Sequence, residues 1–453
     1  MTLRHALFTF CVLSGCSGFV SLGDVDDSGE PLDASSPDSG GPNDAGQPPD
    51  AGNPTDAGTD AGRRDAGPPF VSDGGIPLWA VGLTVNEWRE IPNSALTLQP
   101  AHEARRLDGG AAVVGPIARL DAWCGLSIDT RSSTVWAAAN GGHGDYYGND
   151  VMRFDLLRDA PQWLEWFAGS NGNVVDDLTA PTDPSHAWYR DGLPVSTHSY
   201  YGQQYLERQN MALRLGGSTA PVGSAFENVE GFDTSVGEGV NGWAPPGTFG
   251  YALGGVNGGW TPAIGWAATK DPVTENVYVV NAPYIRRFTP AVTGSGGTWS
   301  VLSTLPVEIN TGALGATAVD TTRNRLVWLK GYGPNTPYTV DLATGVWSAK
   351  AHPPNALKPE FDALKVSLGM VYVPQLDAYL VRANAAGDRV YRIDAATFEL
   401  SALPTVGGAS VPQGAKLNDY EENVYTKWLL VPALRGIVYF PRASSNAWFL
   451  RLY

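Results

Sequence analysis

Cysteine is almost missing from this 453-residue chain: Cys11, Cys16 and Cys124 are all it has. So few thiols exclude a disulfide framework as the source of stability. Histidine is nearly as rare, at six. His102, His186 and His352 are scattered, and nothing offers zinc-ligand spacing. No metal and no other cofactor is expected. Basic residues are outnumbered, 30 Lys+Arg against 46 Asp+Glu. Phosphate binding wants a basic face, so nucleic acid is not an expected partner. The apolar run near the start, ALFTFCVL, is too short to span a bilayer. Text that would form long helices is absent. Glycine-rich, β-branched stretches with turn signals at short spacing argue for an all-β fold instead. The length allows one large all-β domain or two to three average ones.

The N-terminus has its own logic. MTLRH is a short basic start, the apolar run follows, and LSGC ends at Cys16. This pattern resembles a bacterial lipoprotein signal, in which residues 1–15 are removed and Cys16 becomes the lipidated first residue. The resemblance implies a membrane partner through the lipid anchor. Ser17, a non-acidic residue after that cysteine, implies sorting to the bacterial outer membrane, with the surface or periplasmic side left open. Residues 16–69 are Asp, Gly, Ser, Pro and Ala with little that is apolar, and DAG begins at Asp44, Asp50, Asp56, Asp60 and Asp65. Ten Asp, one Glu and two Arg between Ser17 and Pro69 give a local net charge of −9. Such a segment cannot bury enough surface to offset its ordering entropy, so a disordered, extended tether is expected. The DAG spacing is too irregular for a calcium-binding array.

Past Ile76 the composition changes, and 76–453 reads as one repeating architecture. A strand runs into a polar turn, and a second, more apolar strand follows. The unit occurs six times, with turns near Asp129, Glu207, Asp271, Asp320, Pro374 and Pro432. A third strand then ends in an aromatic–polar step, as in MRFDL, YTVDL and YRID. A fourth strand carries Trp163, Trp243, Trp299 or Trp347, with Phe398 and Leu400 in the fifth unit. The sixth unit lacks a fourth strand because the chain stops at Tyr453. An orphan of the right kind, VNEWREIP with Trp88, stands at the other end. A ring of blades must pair its last blade or leave an open strand edge. The expected fold is therefore a β-propeller of six four-stranded blades, closed by the N-terminal strand pairing with the last blade. Seven blades are possible if residues 101–117 hide strands.

The Gly-Gly pair after the second strand, the following aromatic–Asp step and the later tryptophan resemble kelch repeats, the propeller type of the galactose oxidase central domain. The pair is kept at Gly141–Gly142 and Gly216–Gly217 and lost in the other units. The resemblance implies a fold and not an activity, because propellers host binding and catalysis alike. Galactose oxidase chemistry itself is not expected. It needs a crosslinked Cys-Tyr and a Tyr-His pair; this chain has no Tyr-His dipeptide, and Cys124 is read as a buried, inert thiol on a strand.

With strands lettered a to d from the axis outward, b–c and d–a loops emerge on one face, the face that binding propellers of this kind generally use. GGHGDYYGND puts His143, Asp145, Tyr146 and Tyr147 in the first b–c loop. The next d–a loop, residues 168–197, is too long to be mere connection. It leads into WYRDGLPVSTHSYYG, with Arg190, Asp191, His198, Tyr200 and Tyr201. The two stretches should face each other across neighbouring blades. His143 could bond a backbone carbonyl, hold a ligand or do chemistry, and the tyrosines could stack on sugar rings or pack between blades. Cations near strand ends, Lys330, Arg382 and Arg442 with Arg214 inside a strand, would form a positive cup if they leaned into the tunnel.

Two functions follow. The first is a binding module holding a glycan or protein ligand through the nine loop residues His143, Asp145, Tyr146, Tyr147, Arg190, Asp191, His198, Tyr200 and Tyr201. The alternative is a polysaccharide-active enzyme with lyase-like chemistry. There His143 or His198 and Tyr200 or Tyr201 would serve as base and acid, and Arg214 would neutralise a uronate.

Overall fold

The computed structural model describes residues 75–98, 114–142, 145–170, 188–189, 191–219, 225–250, 267–281, 283–306, 315–329, 334–364, 367–415 and 423–453. The signal, Cys16 and the tether lie outside them, as do His143, Arg190 and Lys330.

Six antiparallel sheets form a six-bladed β-propeller. The inner strands are Ser127–Asp129, Gln203–Leu206, Ala267–Lys270, Thr317–Asp320, Gly369–Val373 and Trp428–Val431. In blades one, three, four and five each is followed outward by its own b, c and d strands, as in Thr134–Ala138, Val151–Asp155 and Trp163–Phe167 of the first blade. Of residues 101–117, the stretch that could have hidden a seventh blade, the described part, 114–117, carries no strand and is followed by a single helical turn, Ala118–Asp121. Among the described residues no helix is long and apolar enough to cross a membrane.

In blades one, three and four the polar turn between strands a and b is built by its acid, Asp129, Asp271 or Asp320, whereas in blades five and six it is a short helical turn begun by Pro374 or Pro432. Asp271 accepts the Val273 N–H at 2.9 Å and the Thr274 hydroxyl at 2.6 Å. Asp320 is fully buried and receives Arg325 at 3.0 Å and Tyr379 of the next blade at 2.9 Å. An acid at this position thus sets the turn and ties one blade to its neighbour. Apolar side chains from adjoining sheets fill the space between, one cluster running from Leu213 through Val279, Val327 and Tyr379.

The ring closes through its ends. Trp88–Glu90 pairs with Trp448–Arg451, setting Trp88 opposite Leu450 and Glu90 opposite Trp448. Flanking bonds lengthen the seam: Asn86 N to Arg451 O at 2.7 Å and Ile91 N to Ala447 O at 2.8 Å. The Trp88 ring sits 5.9 Å from Trp428 of the inner strand.

Blade two departs from the pattern where the sequence is richest. Its b strand, Met211–Thr219, is nine residues long. It pairs with Gln203–Leu206 and, beyond a bulge at Gly216, with a second short strand, Thr197–His198. Its fourth strand shrinks to one bridge, Trp243 to Phe232. The two kept glycine pairs converge here. Gly142 has φ +39° and Gly217 φ +115°, and a Cβ on either would lie 2.2 Å from His198 N or 2.3 Å from His198 O. Only glycine lets both chains approach that backbone so closely.

Candidate functional site

The two loops singled out in the sequence meet. Asn140 bridges Thr197 in parallel, Gly141 N donates to Thr197 O at 3.0 Å, and Gly142 N donates to the Ser196 hydroxyl at 2.8 Å. His198 Nε2 lies 2.8 Å from Asp145 Oδ2. The His198 ring also packs on Trp123 at 4.9 Å and on the edge of Tyr200 at 6.1 Å. Tyr200 and Tyr201 both meet Tyr425 edge-on, at 5.5 Å and 5.1 Å. Trp123, Tyr200 and Tyr425 all hold positive φ, 48°, 50° and 48°. Bulky residues pay a steric cost there, and such strain collects at functional sites.

What these side chains touch is mostly the protein itself. His198 is 1% exposed and Arg214 0%. Arg214 forms an ion pair with Glu230 and donates to Val195 O. Burial pushes the Glu230 carboxyl up, against the pull of Arg214. Tyr146 donates to Asp150 at 3.0 Å, and Asp150 also pairs with buried Arg119. Tyr201 donates to Leu368 O at 2.8 Å. Tyr147 is buried and accepts the Tyr189 hydroxyl on its carbonyl at 2.6 Å; burial, then Asp145, raises its phenol. Asp191 is exposed and caps Leu193 N at 3.1 Å. The positive cup does not form among the described cations. Arg382 is fully buried and donates to the carbonyls of Ala385, Gly387 and Arg389 at 2.7–2.8 Å, folding the loop beside it.

Sequence reasoning missed the support of this cluster: Arg119 and Asp150, Trp123, Tyr425, and Asn140, whose Oδ1 takes Ser199 at 2.8 Å and Gln203 at 2.9 Å. The Asn140 position beside the glycine pair was the available signal. Cys124 is buried, as expected, but precedes the strand instead of lying on it; burial pushes its thiol up to about 12. Nearby, Lys427 is fully buried, donates to Leu120 O at 2.8 Å, and is brought down by burial to about 8. Among the described residues no cluster of His, Cys, Asp or Glu could hold a metal ion.

A cavity of about 390 Å³ occupies the ring axis. Its wall takes residues from all six inner strands and continues onto the a–b turns at Pro272, Val273, Pro374 and Gln375. Those turn residues are exposed, Val273 by 75%. At the opposite end stand Tyr201 and Tyr425, 2% and 1% exposed. The cavity therefore opens on the face away from the b–c and d–a loops, and of the predicted residues it touches Tyr201 alone.

No protein-family model matches the sequence, and no curated protein matches it. Solved structures do. An auxiliary nutrient binding protein from Bacteroides ovatus is similar at 8% identity and TM-score 0.42, over 73% of this chain and 69% of that one. A chain of a mitotic checkpoint complex gives 11% and 0.40, over 78% and 95%. A chain of a nidogen/laminin complex gives 12% and 0.35, over 62% and 79%. Likeness this loose carries no functional argument.

Proposed function

We propose that this chain is a bacterial outer-membrane lipoprotein whose kelch-like propeller, carried on an acidic tether, binds a glycan or a protein on its b–c/d–a face. The lipoprotein pattern ending at Cys16 and the composition of residues 16–69 support the anchoring. The observation that carries binding over catalysis is the burial of Arg214 against Glu230. A cation spent in the blade wall cannot neutralise a uronate, and the lyase-like reading loses its electrostatic element. His198, held by Asp145 and the Trp123 ring, then serves as a rigid strut beneath the loops.

The test is a glycan and protein array probed with the full chain carrying Cys16→Ser, against the same chain with His143, Arg190 and Asp191 replaced by alanine. Loss of the hits with an unchanged melting temperature is expected. Hits that survive the triple replacement would move the binding face elsewhere. Unsaturated ends appearing in uronate polymers would restore the enzyme.

A further inference from the structure

In an inner strand both faces are packed against neighbouring blades, so side chains left partly open to solvent there border the axial cavity. Ile128, Thr269, Val371 and Leu430 are such residues, each half-buried between buried neighbours or at a strand's open end. Gln204 and Val319 complete the ring in the other two blades, at 8% and 5% exposure, and all six line the cavity. The ring is lopsided. Val319, Val371, Leu430 and Ile128, from blades four, five, six and one, make an aliphatic arc. Gln204 and Thr269, from blades two and three, make a polar edge. Gln204 spends its amide hydrogens on Tyr201 O at 2.9 Å and Ala268 O at 3.3 Å, which leaves its Oε1 as an acceptor facing no donor of the described protein. The Thr269 hydroxyl makes no bond to the described protein either. Lys270 is the one charged side chain among the described residues of the wall, and it is paired with Glu207.

From this lining we infer that the axial cavity is a second ligand site, open on the a–b face, for an uncharged, largely apolar small molecule with a hydrogen-bond donor on one edge, such as a phenol or alcohol. The aliphatic arc gains by shedding water, and the polar edge orients the donor. An anion would meet no free cation and would leave its own hydration unreplaced. The site opens on the face away from the loops, shares only Tyr201 with the loop residues, and does not depend on them.

Titration calorimetry on the full chain decides this with three probes of one ring system: a naphthol, the matching naphthoate, and naphthalene. The naphthol should bind with one-to-one stoichiometry. The naphthoate should bind about tenfold more weakly or worse, and naphthalene between the two. Val371→Trp and Thr269→Trp fill the cavity from opposite arcs, and whichever stays folded by circular dichroism should lose the naphthol. Equal binding of all three probes, no saturable binding, or undiminished binding by a folded filled variant would each overturn the proposal. Should both variants unfold, the ranking of the probes on the unaltered chain decides the matter alone.

Discussion

Replacing Lys427 by methionine should change how stability depends on pH. The ammonium is fully buried, and burial brings its pKa from 10.5 to about 8. Asp121 is the nearby carboxylate that favours the charge, but burial wins. The sign follows from linkage. Below about pH 8 the lysine is protonated both folded and unfolded, and the folded state carries the whole cost of holding the charge. Above that, the folded protein releases the proton first, and its stability climbs until the unfolded lysine also titrates near 10.5. One pKa unit is worth about 1.4 kcal/mol, so the gain between pH 7 and pH 10 is on the order of 2–3 kcal/mol. Cys124, raised by burial from 9.0 to about 12, works the other way above pH 9. Both proteins should therefore carry Cys124→Ala. Urea unfolding in pH steps then compares the chain that keeps Lys427 with the Lys427→Met variant on that background. The lost bonds to Leu120 O and Asn423 Oδ1 shift the methionine curve by a constant. A difference between the two curves that stays flat from pH 7 to pH 10 would refute the reasoning.

Other outcomes follow from the same structure. Trp88→Ala should cost ~3–5 kcal/mol in urea unfolding, because it empties a buried site at the seam; a loss under ~1 kcal/mol would mean that the seam contributes little. Arg214→Met should cost ~3–5 kcal/mol by stranding Glu230, and Arg214→Met/Glu230→Leu should recover most of it; a double variant as unstable as the single one would count against the pairing. Cys124 should ignore a thiol reagent at neutral pH until the protein unfolds, and rapid native labelling would contradict its burial. Gly217→Ala should destabilise by more than ~1 kcal/mol, because its φ of +115° and the His198 carbonyl 2.3 Å from the new Cβ both oppose a side chain; melting at the unaltered temperature would show that the strand can shift.

The fold was legible because its repeat is written in residues whose physics is local. An acid or a proline opens each a–b turn, apolar alternation marks the b strands, and the spare Trp88 answers the missing outer strand of blade six. The meeting of Asp145 with His198 was legible for a related reason, since two glycine pairs flanked the segments that had to approach closely. What could not be read was the fate of each side chain. Arg214 and Arg382 look alike as strand cations, and only the fold shows one taken by Glu230 and the other by loop carbonyls. The axial cavity was illegible for the opposite reason. The ring that lines it is isoleucine, valine, leucine, threonine and glutamine, ordinary in sequence and distinctive only when six strands bring them around one axis.

The seam also fixes an order of events. Trp88 is made long before Leu450, so the two cannot pair until every blade between them has been synthesised. Until then the blades stand as an open arc with two unsatisfied borders, each able to recruit a strand from another copy. Cutting away Trp88–Glu90 would strip the outer strand from blade six and leave the edge of Trp448–Arg451 open to a strand from another copy. For this molecule, completion of the circle is the step that removes both borders at once.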